Sequence, residues 1–185
     1  EPVRLVSVGR AVEKKGYDEL LQALAVLPQD LNWQFTHIGG GELSGTLKEM
    51  AQSLGLADRI TWRGAQPREE VIAACRQSDL FILPSKLAKS GDRDGLPNVL
   101  MEAQSMGLCC LSTRVSAIPE LILEDETGVL VDPGAPEQLS KALETLVKDP
   151  RLRRDLGLAA ARRVRSHFST DPGLDRLAAK FRKVV

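Results

Sequence analysis

Short apolar runs alternate along the chain with longer amphipathic stretches. The apolar runs are rich in β-branched residues, which favours strands, and the stretches between them repeat apolar residues at helical spacing. The predicted strands are Val3–Val8, Trp33–Ile38, Ile60–Arg63, Leu80–Leu83, Cys109–Thr113 and Gly128–Val131. The predicted helices run from about Tyr17 to Leu27, Ser44 to Leu54 and Arg68 to Arg76, with another beginning near Pro97 and almost continuous helix from about Pro136. This alternation predicts an α/β fold, a doubly wound parallel sheet of about six strands with helices on both faces.

The loops after the first four strands are the expected place for a binding site, because open parallel sheets bind ligands at the carboxyl ends of their strands. The longest gap without a predicted element is Pro84–Pro97, with the sequence PSKLAKSGDRDGLP. A loop of that length inside a compact domain is usually functional or disordered.

Composition narrows the class of protein. The 185 residues are 43% hydrophobic and 27% charged, and 25 basic side chains balance 25 acidic ones. These values argue against disorder and give no reason to expect nucleic acid as a partner. The sequence has no apolar run of the roughly 20 residues that a membrane helix needs and no amino-terminal signal segment, so we expect a soluble, cytoplasmic protein. It starts Glu1-Pro2 without a methionine, which we interpret as a piece excised from a longer protein.

The loop after the first strand, GRAVEKKG, concentrates positive charge. Arg10, Lys14 and Lys15 lie between Gly9 and Gly16. Cations at the ligand edge of a sheet favour an anion site, where arginine binds phosphate in a bidentate manner and lysine acts as a point charge. The alternative is a basic loop that is simply solvated.

Three glycines, Gly39-Gly40-Gly41, follow the second strand and permit close approach of the backbone to a ligand. Gly39, Gly41 and Gly45 come near a dinucleotide-binding fingerprint, but the spacing is off by one and no acidic residue ends the next strand. A dinucleotide site is therefore disfavoured. A P-loop is excluded because the sequence contains no GK[ST].

The segment Asp92–Ser105, DRDGLPNVLMEAQS, carries the most chemical information. Pro97 fits the first turn of a helix, whose unpaired N–H groups at Asn98, Val99 and Leu100 suit a diphosphate. Glu102 lies one turn further, within reach of a ribose, and Asp94 precedes the helix, where it could contact sugar hydroxyls. The alternatives stay open: Asp94 as a turn cap, and Glu102 as a solvated helix residue.

These segments resemble a known family. VSVGRAVEKKG, IGGGEL, ITWRG, DGLPNVLMEAQSMG and AIPELI followed by TGVLV occur in the order found in family 4 of the retaining glycosyltransferases. The resemblance extends from about Val3 to Phe168. It implies one half of a GT-B fold, in which two Rossmann-like domains face each other across a cleft and the carboxyl-terminal one binds the nucleotide-sugar donor.

The resemblance also implies roles for individual residues. Arg10 and Lys15 would bind the donor diphosphate and stabilise the leaving nucleotide, Glu102 would hold the ribose, and the Arg63-Gly64 turn would lie against the base. Asp94 stands first in a motif written E-x7-E in the family, so its side chain is one methylene shorter, and whether it acts as nucleophile or orienting group is open. The implied catalytic residues are Arg10, Lys15 and Asp94, and the implied donor-binding residues are Gly9, Gly40, Arg63, Gly64, Gly95, Leu96, Pro97, Asn98, Val99 and Glu102.

The same resemblance implies a transfer without metal or other cofactor, from a donor of the UDP or GDP type. The sequence has only two histidines, His37 and His167. Other chemically conspicuous side chains are expected to be packing residues: His37 as a satisfied core histidine, Trp33 and Trp62 in strands, and Cys75, Cys109 and Cys110 as reduced buried thiols.

We therefore expect residues 1–168 to form a donor-binding domain that binds donor but does not transfer by itself. The predicted helix within 169–185, about Leu174 to Val184, would cross to an amino-terminal acceptor domain. The acceptor is expected to be a polysaccharide or lipid-linked saccharide, to which the length of the loop Lys86–Arg93 also points. The basic region from Lys148 onward is interpreted as a solvated helix surface, with contact to the inner face of the membrane as the alternative.

Two other functions stay open: a sugar-nucleotide epimerase of related fold, and a non-catalytic nucleotide-sugar-binding module.

Overall fold

The secondary structure follows the predicted alternation of strands and helices. The computed structural model describes residues 1–168. The strands are β1 (Val3–Val8), β2 (Trp33–Ile38), β3 (Ile60–Trp62), β4 (Leu80–Leu83), β5 (Cys110–Thr113) and β6 (Val129–Val131). The helices are α1 (Tyr17–Ala25), α2 (Ser44–Ser53), α3 (Arg68–Arg76), α4 (Asn98–Ser105), α5 (Ile118–Leu121), α6 (Pro136–Lys148) and α7 (Pro150–Phe168). Single 3-10 turns occupy Glu13–Lys15 and Ala57–Arg59.

The strands form one parallel sheet in the order β3-β2-β1-β4-β5-β6. Val3 pairs with Trp33 on one side of β1, and Leu5 pairs with Leu80 on the other. The chain winds outward through β3 and then returns to place β4 beside β1, so right-handed crossovers put helices on both faces. Helix α1 contacts α2 and α6, and α4 contacts α7. The predicted doubly wound α/β fold is confirmed, and its topological switch point lies between β1 and β4.

Strands β4 and β5 are buried on both faces, which explains the continuous apolar sequence of β4. Every residue of β4 (Leu80–Leu83) and of β5 (Cys110–Thr113) is buried. Helices on both sides of a parallel sheet remove the solvent-facing side that would otherwise show as an alternation of polar and apolar residues. The sheet is therefore a rigid base for the loops at its carboxyl edge.

Some element boundaries differ from the prediction. Helix α1 ends at Ala25 rather than at about Leu27, and β3, β5 and β6 are each one residue shorter than predicted. The continuous helix predicted after Pro136 is broken at Asp149, because Pro150 has no N–H to extend the hydrogen-bonding pattern and the Asp149 carboxylate accepts the Leu152 N–H at 2.9 Å. The short helix α5 was not predicted, since four residues carry no periodic signal.

The predicted helix from about Leu174 to Val184 lies outside the described residues. Within residues 1–168, no helix has both the length and the apolar character needed to span a bilayer.

Candidate donor-binding cleft

The loop after β1 is held against the loop after β4 at the switch point. Gly16 takes a left-handed conformation with φ of 67°, and a Cβ there would overlap the carbonyl oxygen of Pro84. The Lys86 N–H donates to the carbonyl of Lys14 at 2.9 Å, and the Lys89 N–H donates to the Glu13 carboxylate at 3.1 Å. These bonds fix the long segment after β4, which has no helix or strand of its own, against the basic loop.

Asp94 lies at the centre of this junction. Its Oδ2 atom lies 2.6 Å from Nζ of Lys15 and accepts a hydrogen bond from the Ser85 hydroxyl at 3.3 Å. Its Oδ1 atom lies 3.6 Å from Nζ of Lys14. The side chains of Lys15 and Asp94 are each 13% exposed, so solvent screens this pair less than a surface ion pair. Two ammonium groups thus balance a carboxylate that faces the cleft.

A cleft of about 360 Å³ opens beside this ion pair. It is lined by Val8, Gly9, Arg10, Val12, Lys14, Lys15, Asp94, Pro97, Asn98 and Val99. Among these are all three predicted catalytic residues and four of the predicted donor-binding residues, Gly9, Pro97, Asn98 and Val99. Arg10 is exposed and forms no ion pair within residues 1–168. The lining therefore combines three cations with one carboxylate and favours an anionic ligand.

The start of α4 differs slightly from the prediction. Pro97 has φ of −67° and ψ of 118° and stands just before the helix, at the N-cap, rather than within the first turn. Its carbonyl accepts the Leu100 N–H at 3.1 Å, so the expectation that this N–H is free for a ligand is wrong. The N–H groups of Asn98 and Val99 have no backbone partner in the described chain. These two donors and the positive end of the helix dipole lie at the cleft.

The three glycines after β2 have different structural roles. A Cβ on Gly39, whose φ is 147°, would overlap the Gly9 carbonyl oxygen, and one on Gly41 would lie 2.6 Å from the Ala11 carbonyl oxygen. Gly40 has no atom within 4 Å of the position that a Cβ would take. Gly39 and Gly41 are therefore required by packing against the loop after β1, whereas Gly40 faces open space.

Six of the ten predicted donor-binding residues lie outside the lining of this cleft: Gly40, Arg63, Gly64, Gly95, Leu96 and Glu102. Arg63 pairs with Glu70 at 2.9 Å, and the carbonyl of Gly64 accepts the Gly39 N–H at 2.8 Å. Gly95 is exposed, and Leu96 is half-buried against the core. The turn Arg63-Gly64 is thus hydrogen-bonded to the glycine segment, while Gly95 and Leu96 connect Asp94 to α4.

Glu102 lies one turn into α4 and is tied to α3. Its Oε1 atom lies 3.2 Å from Nη2 of Arg68, and both side chains are substantially exposed. The sequence did not single out Arg68, because nothing in the local pattern relates it to a residue on the next helix along the chain. Its position in the first turn of α3, directly after Pro67, was the available signal.

His37 forms a hydrogen bond with the first residue of the loop after β1, Gly9. It is buried, its Nε2 atom lies 3.0 Å from the Gly9 carbonyl oxygen, and its ring contacts those of Tyr17 and Trp62. Because a carbonyl only accepts, Nε2 carries the proton. Burial lowers the pKa of His37, and the hydrogen bond to Gly9 offsets part of that effect. The prediction of a satisfied core histidine is confirmed, as is that of three free, buried cysteines.

Residues 1–168 contain no group of three or more His, Cys, Asp or Glu side chains that could hold a metal ion.

Known proteins resemble this chain in sequence and in fold. AmsK of Erwinia amylovora, an amylovoran biosynthesis glycosyltransferase, is 34% identical over 179 residues, which are 96% of this chain and 44% of that protein. A GDP-mannose-dependent α-(1-6)-phosphatidylinositol monomannoside mannosyltransferase of Mycolicibacterium smegmatis is 32% identical over 84% of this chain and 41% of its own length. This chain thus spans less than half of either relative.

Solved structures of other proteins have the same fold as this chain. The C-terminal domain of the group 1 glycosyl transferase LpcC from Francisella tularensis superposes with a TM-score of 0.80 at 22% identity, over 92% of this chain and 89% of that one. HepE of Anabaena, solved with UDP-glucose, gives a TM-score of 0.79 at 20% identity, over 90% of this chain and 45% of that one. The family model described as glycosyl transferases group 1 matches residues 1–163. The chain belongs to the glycosyl transferases group 1 family, and its fold matches that of the C-terminal domain of LpcC.

Proposed function

We propose that this chain is the donor-binding domain of a retaining glycosyltransferase that moves a sugar from a nucleoside-diphosphate sugar to an acceptor. The observation that carries the proposal is the convergence of Arg10, Lys15, Asp94 and the start of α4 on one cleft at the topological switch point. Membership in a glycosyl transferase family favours transfer over epimerisation.

The diphosphate would occupy the cationic side of the cleft. The Arg10 guanidinium has no ion-pair partner in the described chain and can form a bidentate contact with phosphate oxygens. The Lys15 ammonium has three donors, of which the contact with Asp94 uses one. The Asn98 and Val99 N–H groups add two more donors. As the glycosidic bond breaks and negative charge collects on the leaving diphosphate, these fixed groups stabilise it.

Asp94 would face the donor sugar. Lys14, Lys15 and Ser85 hold its carboxylate in one position at the mouth of the cleft, so its side chain is oriented before the donor binds. A fixed carboxylate beside an anomeric carbon stabilises the positive charge that develops there. Asp94 would thus act where the family has glutamate, with a side chain one methylene shorter.

The nucleoside would lie toward α3 and α4, with Glu102 at the ribose, the Arg63-Gly64 turn at the base and Gly40 leaving space for the donor. We propose a UDP or GDP donor, since HepE was solved with UDP-glucose and the mycobacterial relative is named GDP-mannose-dependent. No metal or other cofactor is proposed. The acceptor is a polysaccharide or lipid-linked saccharide bound by the part of the enzyme that this chain does not span, so the isolated domain binds donor without transferring it.

Calorimetric titration with UDP and GDP tests the donor site. We expect the native chain to bind at least one of them, and Arg10→Ala and Lys15→Ala each to weaken binding about tenfold, as for loss of a charge-assisted hydrogen bond. Arg154→Ala and Lys48→Ala are matched controls, since both side chains are exposed and neither lines the cleft. The proposal would be contradicted if the native chain bound neither nucleotide, or if a variant carrying both Arg10→Ala and Lys15→Ala bound as tightly as the native chain.

A further inference from the structure

The first turn of α3 is linked to both residues proposed to contact the nucleoside. Arg68 pairs with Glu102 at 3.2 Å, and Glu70 pairs with Arg63 at 2.9 Å. Helix α3 begins at Arg68, and the chain just before it forms the turn proposed to lie against the base. One helix end therefore touches the ribose side and the base side of the site.

The ion pair between Arg68 and Glu102 is closest at one of the two oxygens of the Glu102 carboxylate. Oε1 is the oxygen nearest to Arg68, and no hydrogen bond to Oε2 forms within residues 1–168. A carboxylate has two oxygens and about four lone-pair directions, so it can keep an arginine on one oxygen and accept hydroxyls with the other. Without Arg68, the 44% exposed Glu102 side chain would be free to change rotamer.

We infer that Arg68 is a positioning residue for ribose recognition: it holds Glu102 by Oε1 so that Oε2 faces the ribose hydroxyls of the donor. This inference rests on the proposed donor site.

The test compares nucleotides with and without ribose hydroxyls. UDP and GDP, each with its 2′,3′-dideoxy analogue, are titrated into the native chain and into Arg68→Ala. We expect the native chain to prefer the ribose form, and Arg68→Ala to lower that preference about two- to fivefold, the range that an exposed ion pair supports. Affinity for the dideoxy analogue should stay unchanged, which a general disturbance of the fold would not allow. Arg68→Lys should retain part of the preference.

Arg76→Ala is the matched control, because Arg76 is exposed at the other end of the same helix. An unchanged preference in Arg68→Ala overturns the inference while leaving the donor site intact. A higher preference also overturns it, since it would mean that Arg68 competes with the ribose for Glu102. If the native chain binds nucleotide without preferring the ribose form, both the proposed role of Glu102 and this inference are contradicted. If it binds neither nucleotide, the proposed donor site itself is rejected.

Discussion

The ammonium group of Lys15 lies 2.6 Å from Oδ2 of Asp94, and this ion pair joins the two loops that flank the switch point of the sheet. Lys15 follows β1 and Asp94 follows β4, strands that are neighbours in the sheet although the two residues are 79 positions apart in the sequence. The pair places Lys15, which we propose binds phosphate, beside Asp94, which we propose contacts the donor sugar. It also means that changing either residue alters the charge that the other presents.

Neutralising Asp94 should strengthen nucleoside diphosphate binding. Asp94→Asn keeps an oxygen for Lys15 but removes a negative charge next to the proposed phosphate site, so we expect UDP or GDP to bind about two- to fivefold more tightly. Calorimetry measures this directly. Asp92→Asn is the control, because that side chain is 61% exposed and pairs with Lys14 in solvent. Weaker binding by Asp94→Asn would show instead that the full charge of Asp94 is needed to hold Lys15.

Adjacent glycines should respond differently to the same substitution. Gly39→Ala forces a side chain into φ of 147° and against the Gly9 carbonyl, so we expect a loss of about 2 to 5 kcal/mol in the free energy of unfolding. Gly40→Ala meets no atom within 4 Å and should change it by less than about 1 kcal/mol. Urea unfolding of both variants checks the contrast. Equal losses would show that the glycine segment does not pack as described.

The stability of the domain should depend on His37 between pH 7.5 and pH 5. Burial lowers the pKa of the folded His37 below the value of about 6.5 expected in the unfolded chain. The unfolded state therefore binds a proton more readily, and the free energy of unfolding should fall as the pH drops through this range. Urea unfolding at several pH values measures the slope. We expect His37→Gln to reduce this slope. The control His167→Gln, at an exposed position, should leave the slope unchanged.

The three thiols should be unreactive in the folded protein. Burial raises the pKa of Cys75 to about 11 and that of Cys109 to about 12, and it also raises the pKa of Cys110. Since the thiolate is the nucleophile, we expect negligible reaction with Ellman's reagent at pH 8 in buffer and three equivalents of reacted thiol in denaturant. Rapid labelling of a thiol without denaturant would contradict the burial of that cysteine.

Much of the fold was predictable because its signals are local. Continuous apolar runs such as Leu80–Leu83 identify doubly buried strands, and the parallel order follows from the helices between them. Boundaries were less predictable. Whether α1 continues past Ala25 and where the helix after Pro136 breaks depend on hydrogen bonds and packing that residue preferences describe weakly.

The candidate site was predicted in its chemistry more than in its contacts. Arg10, Lys15, Asp94 and the start of α4 were recognised from residue type, spacing and family resemblance, and the structure brings them to one cleft. The Leu100 N–H was wrongly expected to be free, because a helix that begins at Asn98 leaves the Pro97 carbonyl in position to accept it. Arg68 was missed because its partner Glu102 is on another helix.

The sequence by itself determined the order of strands and helices and the kinds of side chain at the carboxyl edge of the sheet, since periodicity and residue type are properties of neighbouring positions. Only the tertiary structure decided which of those side chains meet. The crossover that places β4 beside β1 brings Asp94 to Lys15, and the fold places the start of α3 close enough to α4 for Arg68 to pair with Glu102. The same folding presses Gly39 against the Gly9 carbonyl. Each contact joins residues far apart in the chain, where local preference carries no information and the geometry of the sheet sets the distance.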